Sequence, residues 1–104
     1  MANEILTPNS KTTALYRATY NGNLEIVKLL VEKYNSDVNL QTGIGETPII
    51  AAAKRDKYAI LKYLVEKGAD VDFMAKTGLS VIEYSILAGH YETSLFLFDR
   101  IKDR

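Results

Sequence analysis

The stretch that decides the fold is T-P-I-I-A-A-A-K-R-D-K-Y-A-I-L-K-Y-L-V-E-K-G-A-D-V-D at 47–72. Two other segments align with it: T-A-L-Y-R-A-T-Y-N-G-N-L-E-I-V-K-L-L-V-E-K-Y-N-S-D-V-N at 13–39, and S-V-I-E-Y-S-I-L-A-G-H-Y-E-T-S-L-F-L-F-D-R-I at 80–101. Thr13 precedes Thr47 by 34 residues, and Thr47 precedes Ser80 by 33. Self-similarity at this period indicates a repeat protein whose units must stack on one another.

Each unit has the pattern of a helix, a tight turn and a second helix. Thr47 is a suitable N-cap, and Pro48 follows at the first helical position, where its missing N–H costs nothing. Residues that tolerate a left-handed conformation stand where the helices should end. These residues are Gly22, Asp56 and Gly89 after the first helices, and Asn35 and Gly68 after the second helices.

The second helices carry apolar residues at helical spacing, which predicts one buried stripe on each. The predicted stripes are Ile26, Val27, Leu29 and Leu30; Ile60, Leu61 and Leu64; and Leu95, Phe96, Phe98 and Ile101. Helices of roughly 8–11 residues cannot bury such stripes alone, so neighbouring units must supply the core. The pattern therefore predicts an all-α solenoid.

These motifs resemble the ankyrin repeat, whose signature T-P-L-H-x-A is matched by T-P-I-I-A-A at 47–52 and less closely at 13–18 and 80–85. The resemblance implies stacked helix-turn-helix units joined by hairpin-like fingers. It divides a single domain over 1–104 into a lead-in at 1–12, repeats at 13–41 and 42–74, and a third repeat or C-terminal cap at 75–104. Tyr16, Ile50 and Glu83 replace the signature His, which predicts a stability that depends more on packing.

Composition narrows the function classes. The 104 residues contain 13 Lys+Arg and 13 Asp+Glu and no Cys. Zero net charge argues against non-specific binding to nucleic acid or an anionic membrane. The first ten residues lack the pattern of a secretory signal, and no uncharged apolar stretch is long enough to span a membrane. We therefore expect an intracellular protein of the cytoplasm or nucleus, delivered into a host cell if the source is bacterial.

Catalytic and metal-binding patterns are weak. His90 is the only His, and it lies where the ankyrin pattern places a structural residue. Asp70 and Asp72 lack the rest of a calcium loop and fit turn positions. The T-G-I-G-E segment at 42–46 lacks the third glycine or the G-K-[ST] of a phosphate-binding loop. We expect no enzyme activity, no cofactor and no metal.

The resemblance implies a partner protein bound on a concave surface formed by the fingers and the ends of the first helices. The candidate contact residues are Tyr20, Asn21, Ile44, Glu46, Lys54, Arg55, Met74, Lys76, Thr77, Leu79 and Leu87. Ile44, Met74 and Leu79 are apolar residues in turns, so they either mark a contact site or pack beneath their neighbours. The basic run K-R-D-K at 54–57 is interleaved with acids, which favours a solvated surface over a patch for an acidic partner.

The function most consistent with this pattern is a non-catalytic interaction module, monomeric on its own, acting as an adaptor, an inhibitor or a targeting domain. One alternative is a fragment or cap of a longer ankyrin solenoid that binds no partner itself. Another is a small ligand-binding or enzymatic protein with a pocket at His90. The run L-F-L-F at 95–98 is apolar all round, so it is covered by the tail, a continuing solenoid or a partner.

Overall fold

The computed structural model describes residues 13–102, so the predicted lead-in at 1–12 lies outside the described residues. Six helices follow one another in this range: α1 (Ala14–Tyr20), α2 (Leu24–Lys28), α3 (Pro48–Arg55), α4 (Tyr58–Glu66), α5 (Val81–Leu87) and α6 (Tyr91–Lys102). A π-helical turn, Leu29–Lys33, extends α2. None of the helices within 13–102 has both the length and the apolar character needed to cross a lipid bilayer.

The helices form two layers. The inner helices α1, α3 and α5 pack side by side, and the outer helices α2, α4 and α6 cover them. The middle repeat supplies the centre of the core, because Ile49, Ile50, Leu61 and Leu64 are fully buried. This arrangement confirms the all-α ankyrin solenoid and explains why no single helix pair needs to be stable alone.

The N-terminal caps of the inner helices fall at Thr47 and at the two positions that align with it, Thr13 and Ser80. Thr13 accepts a hydrogen bond from the Tyr16 N–H at 3.0 Å. Ser80 and Glu83 form a capping box, in which each side chain accepts a hydrogen bond from the other's backbone N–H. Thr47 occupies the cap position before Pro48, but its side chain makes no capping hydrogen bond. The inner helices therefore start where the repeat alignment places them.

The left-handed backbone conformations predicted at the helix ends are also confirmed. The helix turn before one of them, Asn35, explains the unequal repeat spacing. Asp56 ends α3 with φ 55°, and Asn35 has φ 58°. Before Asn35 the helix widens, so that the Tyr34 N–H bonds to the Leu29 carbonyl at 3.3 Å. A π-helical turn accommodates one extra residue in a helix. The first repeat therefore absorbs its additional residue without shifting the next repeat.

The predicted stripes of the two terminal outer helices are partly wrong. Ile26 and Leu29 are 40% and 42% exposed, and Leu95 and Phe98 are 48% and 55% exposed. The fully buried residues of α6 are instead Thr93 and Leu97. Among the described residues, α2 and α6 each pack against only one other outer helix, α4. Ile26 therefore lacks the neighbour that buries the equivalent Ile60 of α4. In α6 the reason is different: Leu95 and Phe98 align with the exposed Lys62 and the half-buried Val65, so the predicted stripe was out of register with the repeat.

Two fingers project between the repeats. In the first, the Thr42 N–H donates to the Glu46 carbonyl at 2.8 Å, and in the second the Ala75 N–H donates to the Leu79 carbonyl at 2.9 Å. The turns need a residue with positive φ, which Gly45 supplies in the first finger at 80°. The residues before the fingers, Leu40 and Phe73, are half-buried, and Phe73 packs against the core.

Candidate functional site

Ten of the eleven predicted contact residues are accessible, and they belong to the fingers and the C-terminal ends of the inner helices. Four apolar side chains among them are well exposed: Tyr20 (38%), Ile44 (51%), Met74 (60%) and Leu87 (71%). Leu79 is half-buried, so it contributes less area. The name finger–helix surface is used below for the accessible set of Tyr20, Asn21, Ile44, Lys54, Arg55, Met74, Lys76, Thr77, Leu79 and Leu87.

Glu46 lies beneath this surface rather than on it. The residue is 5% exposed, and its carboxylate accepts a 2.6 Å hydrogen bond from the Tyr16 hydroxyl. Lys54 Nζ lies 3.2 Å from both carboxylate oxygens. A buried carboxylate is stable only when it is paired and hydrogen-bonded, as here. The first finger is thus anchored by Glu46 to the inner helices of two repeats.

The contact between Tyr16 and Glu46 also bears on the prediction that, without the signature His, stability depends more on packing. Tyr16 stands in that position and still makes a side-chain hydrogen bond, and Glu83 stands there in the third repeat and completes the capping box. The expectation of a greater dependence on packing therefore holds only at Ile50, which is fully buried. Burial raises the pKa of the Tyr16 hydroxyl, and its bond to Glu46 raises it further.

Tyr20 and Arg55 form a stacked pair across the junction of the first two repeats. The Arg55 guanidinium carbon lies 4.5 Å from the centre of the Tyr20 ring, within cation–π range. The Tyr20 ring in turn stacks on Tyr16, with 6.2 Å between ring centres. This contact orients the guanidinium on an otherwise exposed part of the surface.

A second cation–aromatic contact joins the second and third repeats. Lys54 Nζ lies 5.5 Å from the centre of the Tyr84 ring. The Tyr84 hydroxyl is 2.8 Å from the Thr77 hydroxyl, which connects α5 to the second finger. The finger–helix surface is therefore held by side-chain contacts that run through all three repeats.

Sequence reasoning missed three residues of this surface. Tyr16 and Tyr84 carry the aromatic contacts, although their positions indicated only helix packing. Arg17 lines a shallow groove together with Tyr16, Tyr20 and Asn21. The available signal was the repeat alignment, since Arg17, Ala51 and Tyr84 occupy equivalent positions of the three inner helices.

His90 has the structural role that its position predicted. Its Nε2 atom lies 3.2 Å from the Lys54 carbonyl oxygen, at the end of α3, and its Nδ1 lies 3.8 Å from Asp56. Thr93 donates to the same Asp56 at 3.2 Å. These contacts join the second and third repeats at a helix terminus, and the depression beside His90 is open to solvent.

The structure adds no metal-binding arrangement to this picture. Between residues 13 and 102, no three His, Asp or Glu side chains come together as a metal site would require. The chemistry that the finger–helix surface offers is instead apolar area, aromatic rings and cationic groups. Among these groups, tyrosine and arginine are the ones that concentrate binding energy in protein interfaces.

Comparison with known proteins agrees with the architecture. The family model described as ankyrin repeats (3 copies) matches residues 15–103. Alpha-latrocrustotoxin-Lt1a of Latrodectus tredecimguttatus is 39% identical over 79 residues, which cover 73% of this chain and 6% of the toxin. Ankyrin repeat and SAM domain-containing protein 6 of Rattus norvegicus is 37% identical over 84 residues, covering 80% of this chain and 9% of that protein.

A shorter relative is protein phosphatase 1 regulatory subunit 27 of Homo sapiens. It is 43% identical over 63 residues, which cover 61% of this chain and 40% of the subunit. The chain thus spans well under half of the length of each of these three relatives. The similarity to them concerns the repeats.

Proposed function

Because this chain belongs to the ankyrin-repeat family, we propose that it is a non-catalytic protein-interaction module that binds a partner protein through the finger–helix surface. The observation that carries the proposal is the exposure of apolar side chains at the finger positions, where turns are ordinarily polar. Ile44 is 51% exposed and Met74 is 60% exposed. Exposed apolar groups surrounded by polar ones are typical of contact sites.

The rigidity of the surface supports the same function. Glu46 anchors the first finger to Tyr16 and Lys54, and the hydroxyl contact between Thr77 and Tyr84 holds the second. A surface that is already ordered loses less conformational freedom when it binds. We therefore expect the free and bound conformations of the fingers to be closely similar.

The test is binding by the double variant Ile44→Ser/Met74→Ser. It should lose the partner while its free energy of unfolding stays within about 1 kcal/mol of the wild type, because both side chains are largely in water. The matched control is Ile26→Ser/Leu29→Ser, which removes residues of similar exposure, 40% and 42%, from an outer helix. Affinity capture from the native lysate should retain the same protein with wild type and control only.

Two results would contradict the assignment. One is capture of the same proteins by the finger variant as by the wild type. The other is a large fall in melting temperature of the finger variant, which would show that Ile44 and Met74 serve the fold.

The biological role that we propose for such binding is that of an adaptor, an inhibitor or a targeting domain. One relative is, by its name, a regulatory subunit of a phosphatase. We propose that this module likewise acts on a larger protein by occupying part of its surface. We propose an intracellular location in the cytoplasm or nucleus, with which a chain of 104 residues without Cys is compatible.

A second candidate function, a segment of a longer solenoid, is favoured by the exposed end of the third repeat. Ile86 is 58% exposed, whereas the equivalent residues Thr19 and Ala53 are fully buried against the next repeat. Fusing a second copy of residues 42–74 after the third repeat should raise the melting temperature, and Ile86→Ser should remove that gain. An unchanged melting temperature of the fusion would argue against this role.

A further inference from the structure

We propose that the finger–helix surface recognises an acidic, extended segment of its partner protein, with Arg55 as the principal carboxylate-binding group. This inference rests on the proposed function and adds the chemistry of the partner. It follows from three observations: the net charge of the surface, the orientation of Arg55, and the distribution of the cations over three elements.

The first observation concerns charge. Four cationic side chains lie on or beside the surface: Arg17, Lys54, Arg55 and Lys76. Within residues 13–102, the ion pair with a carboxylate there is that of Lys54 with Glu46. Glu46 is buried, and the exposed Glu83 accepts its hydrogen bond from the cap of its own helix. The four cations outnumber the two carboxylates, Glu46 and Glu83, so this surface has a net positive charge on a chain of zero net charge.

The second observation is the orientation of Arg55. Its guanidinium lies on the Tyr20 ring, and one of its nitrogens donates to the Tyr20 hydroxyl at 3.5 Å. An arginine side chain has five N–H donors in a planar fork that matches a carboxylate. Because the ring already orients the fork, Arg55 loses little freedom on binding an anion.

The third observation is the distribution of the cations. Arg17 is on α1, Arg55 ends α3, and Lys76 belongs to the second finger. The Lys76 stem lies across the first finger, since a Cβ built on Gly45 would be 2.8 Å from Lys76 Cδ. A partner that meets all three cations therefore has to run across several elements of the surface. An extended segment, which advances about 3.3 Å per residue, covers such a length with the fewest residues.

The apolar groups complete the description of the partner. Ile44, Met74 and Leu87 are exposed beside the cations. A segment that alternates acidic and apolar side chains would satisfy both kinds of group. Because the chain as a whole has zero net charge, it exerts no long-range attraction on an acidic partner. The cations of the finger–helix surface attract the segment only within a Debye length of roughly 10 Å.

The experiment uses the full chain and a displayed library of random peptides of about 12 residues, long enough to span three repeats in an extended conformation. Peptides selected on the wild type should be enriched in Asp and Glu relative to the starting library. Their affinity should fall as the salt concentration rises.

The variants then assign the effect to Arg55. Arg55→Gln should weaken a selected acidic peptide roughly tenfold or more, as expected for a charge-assisted hydrogen-bonded pair. Arg55→Lys should recover only part of that loss, because it lacks the planar fork. Tyr20→Leu should weaken binding, whereas Tyr20→Phe should bind nearly as the wild type does, since the ring remains. Lys33→Gln, a change of the same charge on the outer helix layer, is the matched control.

The outcomes separate this inference from the proposed function. Selected peptides that are neutral or basic, yet lost by Ile44→Ser/Met74→Ser, would overturn the acidic segment and leave the interaction surface in place. Peptides unaffected by either the finger variant or Arg55→Gln would overturn both. Tighter binding of a fluorescent single-stranded DNA than of any acidic peptide, lost in Arg55→Gln, would overturn the assignment of a protein partner.

Discussion

Replacing Tyr16 by Phe isolates one hydrogen bond in the centre of the candidate site. The Tyr16 side chain is 5% exposed, and its hydroxyl donates to the Glu46 carboxylate at 2.6 Å. The substitution removes the hydroxyl and keeps the ring, so packing against Tyr20 and the core is preserved. We expect a less stable protein with unchanged helix content.

The magnitude follows from what remains around Glu46. A hydrogen bond to a charged group contributes about 1.5–3 kcal/mol to folding. Lys54 still pairs with the carboxylate in the variant, and its side chain is 34% exposed, so water can approach. The loss should therefore be near the lower limit, about 1.5 kcal/mol. For a domain of this size, this corresponds to a fall in melting temperature of roughly 6–12 °C.

A double-mutant cycle with Glu46→Ala separates the bond from its surroundings. The Glu46→Ala variant leaves the Tyr16 hydroxyl buried without its acceptor, which costs about 1–3 kcal/mol. In the double variant this penalty disappears, so the two effects should fall short of their sum by about 1.5 kcal/mol. Urea unfolding followed by circular dichroism measures all four proteins.

The control is Tyr20→Phe, because Tyr20 is 38% exposed and its hydroxyl contact to Arg55 is a long one of 3.5 Å. This variant should lie within about 0.5 kcal/mol of the wild type. Equal stability of the Tyr16→Phe and Tyr20→Phe variants, or strictly additive effects in the cycle, would refute the reasoning about the buried carboxylate.

Three further predictions test the packing, a helix cap and an ionisable group. Leu64→Ala should destabilise by roughly 2–5 kcal/mol in urea unfolding, because Leu64 is fully buried. Leu95→Ala should lower the free energy of unfolding by less than about 1 kcal/mol. Equal losses of stability in the two variants would contradict the assignment of Leu64 as buried and Leu95 as exposed. Ser80→Ala should cost about 1 kcal/mol by removing the capping box, whereas Ser80→Asn should retain most of the stability. Burial and the bond to Glu32 raise the pKa of Tyr63 from 10.0 to about 12, so its contribution to stability is complete below pH 10 and is lost as the pH rises towards 12. Alkaline unfolding should therefore depend less steeply on pH in Tyr63→Phe, and identical profiles would contradict this role.

The repeat pattern was sufficient to predict the inner helices, because the signals involved are local. Cap residues, a proline at the first helical position and left-handed residues at the helix ends act within one turn of the chain. Thr13, Ser80 and Asp56 therefore have the roles that the alignment gives them. The outer helices were less predictable, since burial there depends on which neighbour is present.

The terminal helices show this dependence directly. Leu64 in the middle repeat and Leu97 in the third are fully buried, whereas Phe98, the residue after Leu97, is 55% exposed. Both Leu97 and Phe98 belong to an apolar run whose helical spacing alone does not distinguish the buried side from the open one. The repeat alignment does, because it places Leu97 at the position of Leu30 and Leu64, and packing of α6 against α4 and α5 buries that position.

The candidate site divides in the same way. Fingers with apolar tips and basic residues at the end of α3 were evident in the sequence. The burial of Glu46, and its contacts with Tyr16 and Lys54, required the tertiary structure. Tyr16 and Glu46 are 30 residues apart, so no local rule connects them.

What the sequence determined by itself was the period of the repeat and, through it, the family and the order of the helices. What the tertiary structure decided was the side-chain arrangement across repeat junctions, including the Arg55–Tyr20 stack and the ion pair under the first finger. The physical reason is that helix starts and stops depend on neighbours in the chain, whereas burial and charge pairing depend on neighbours in space.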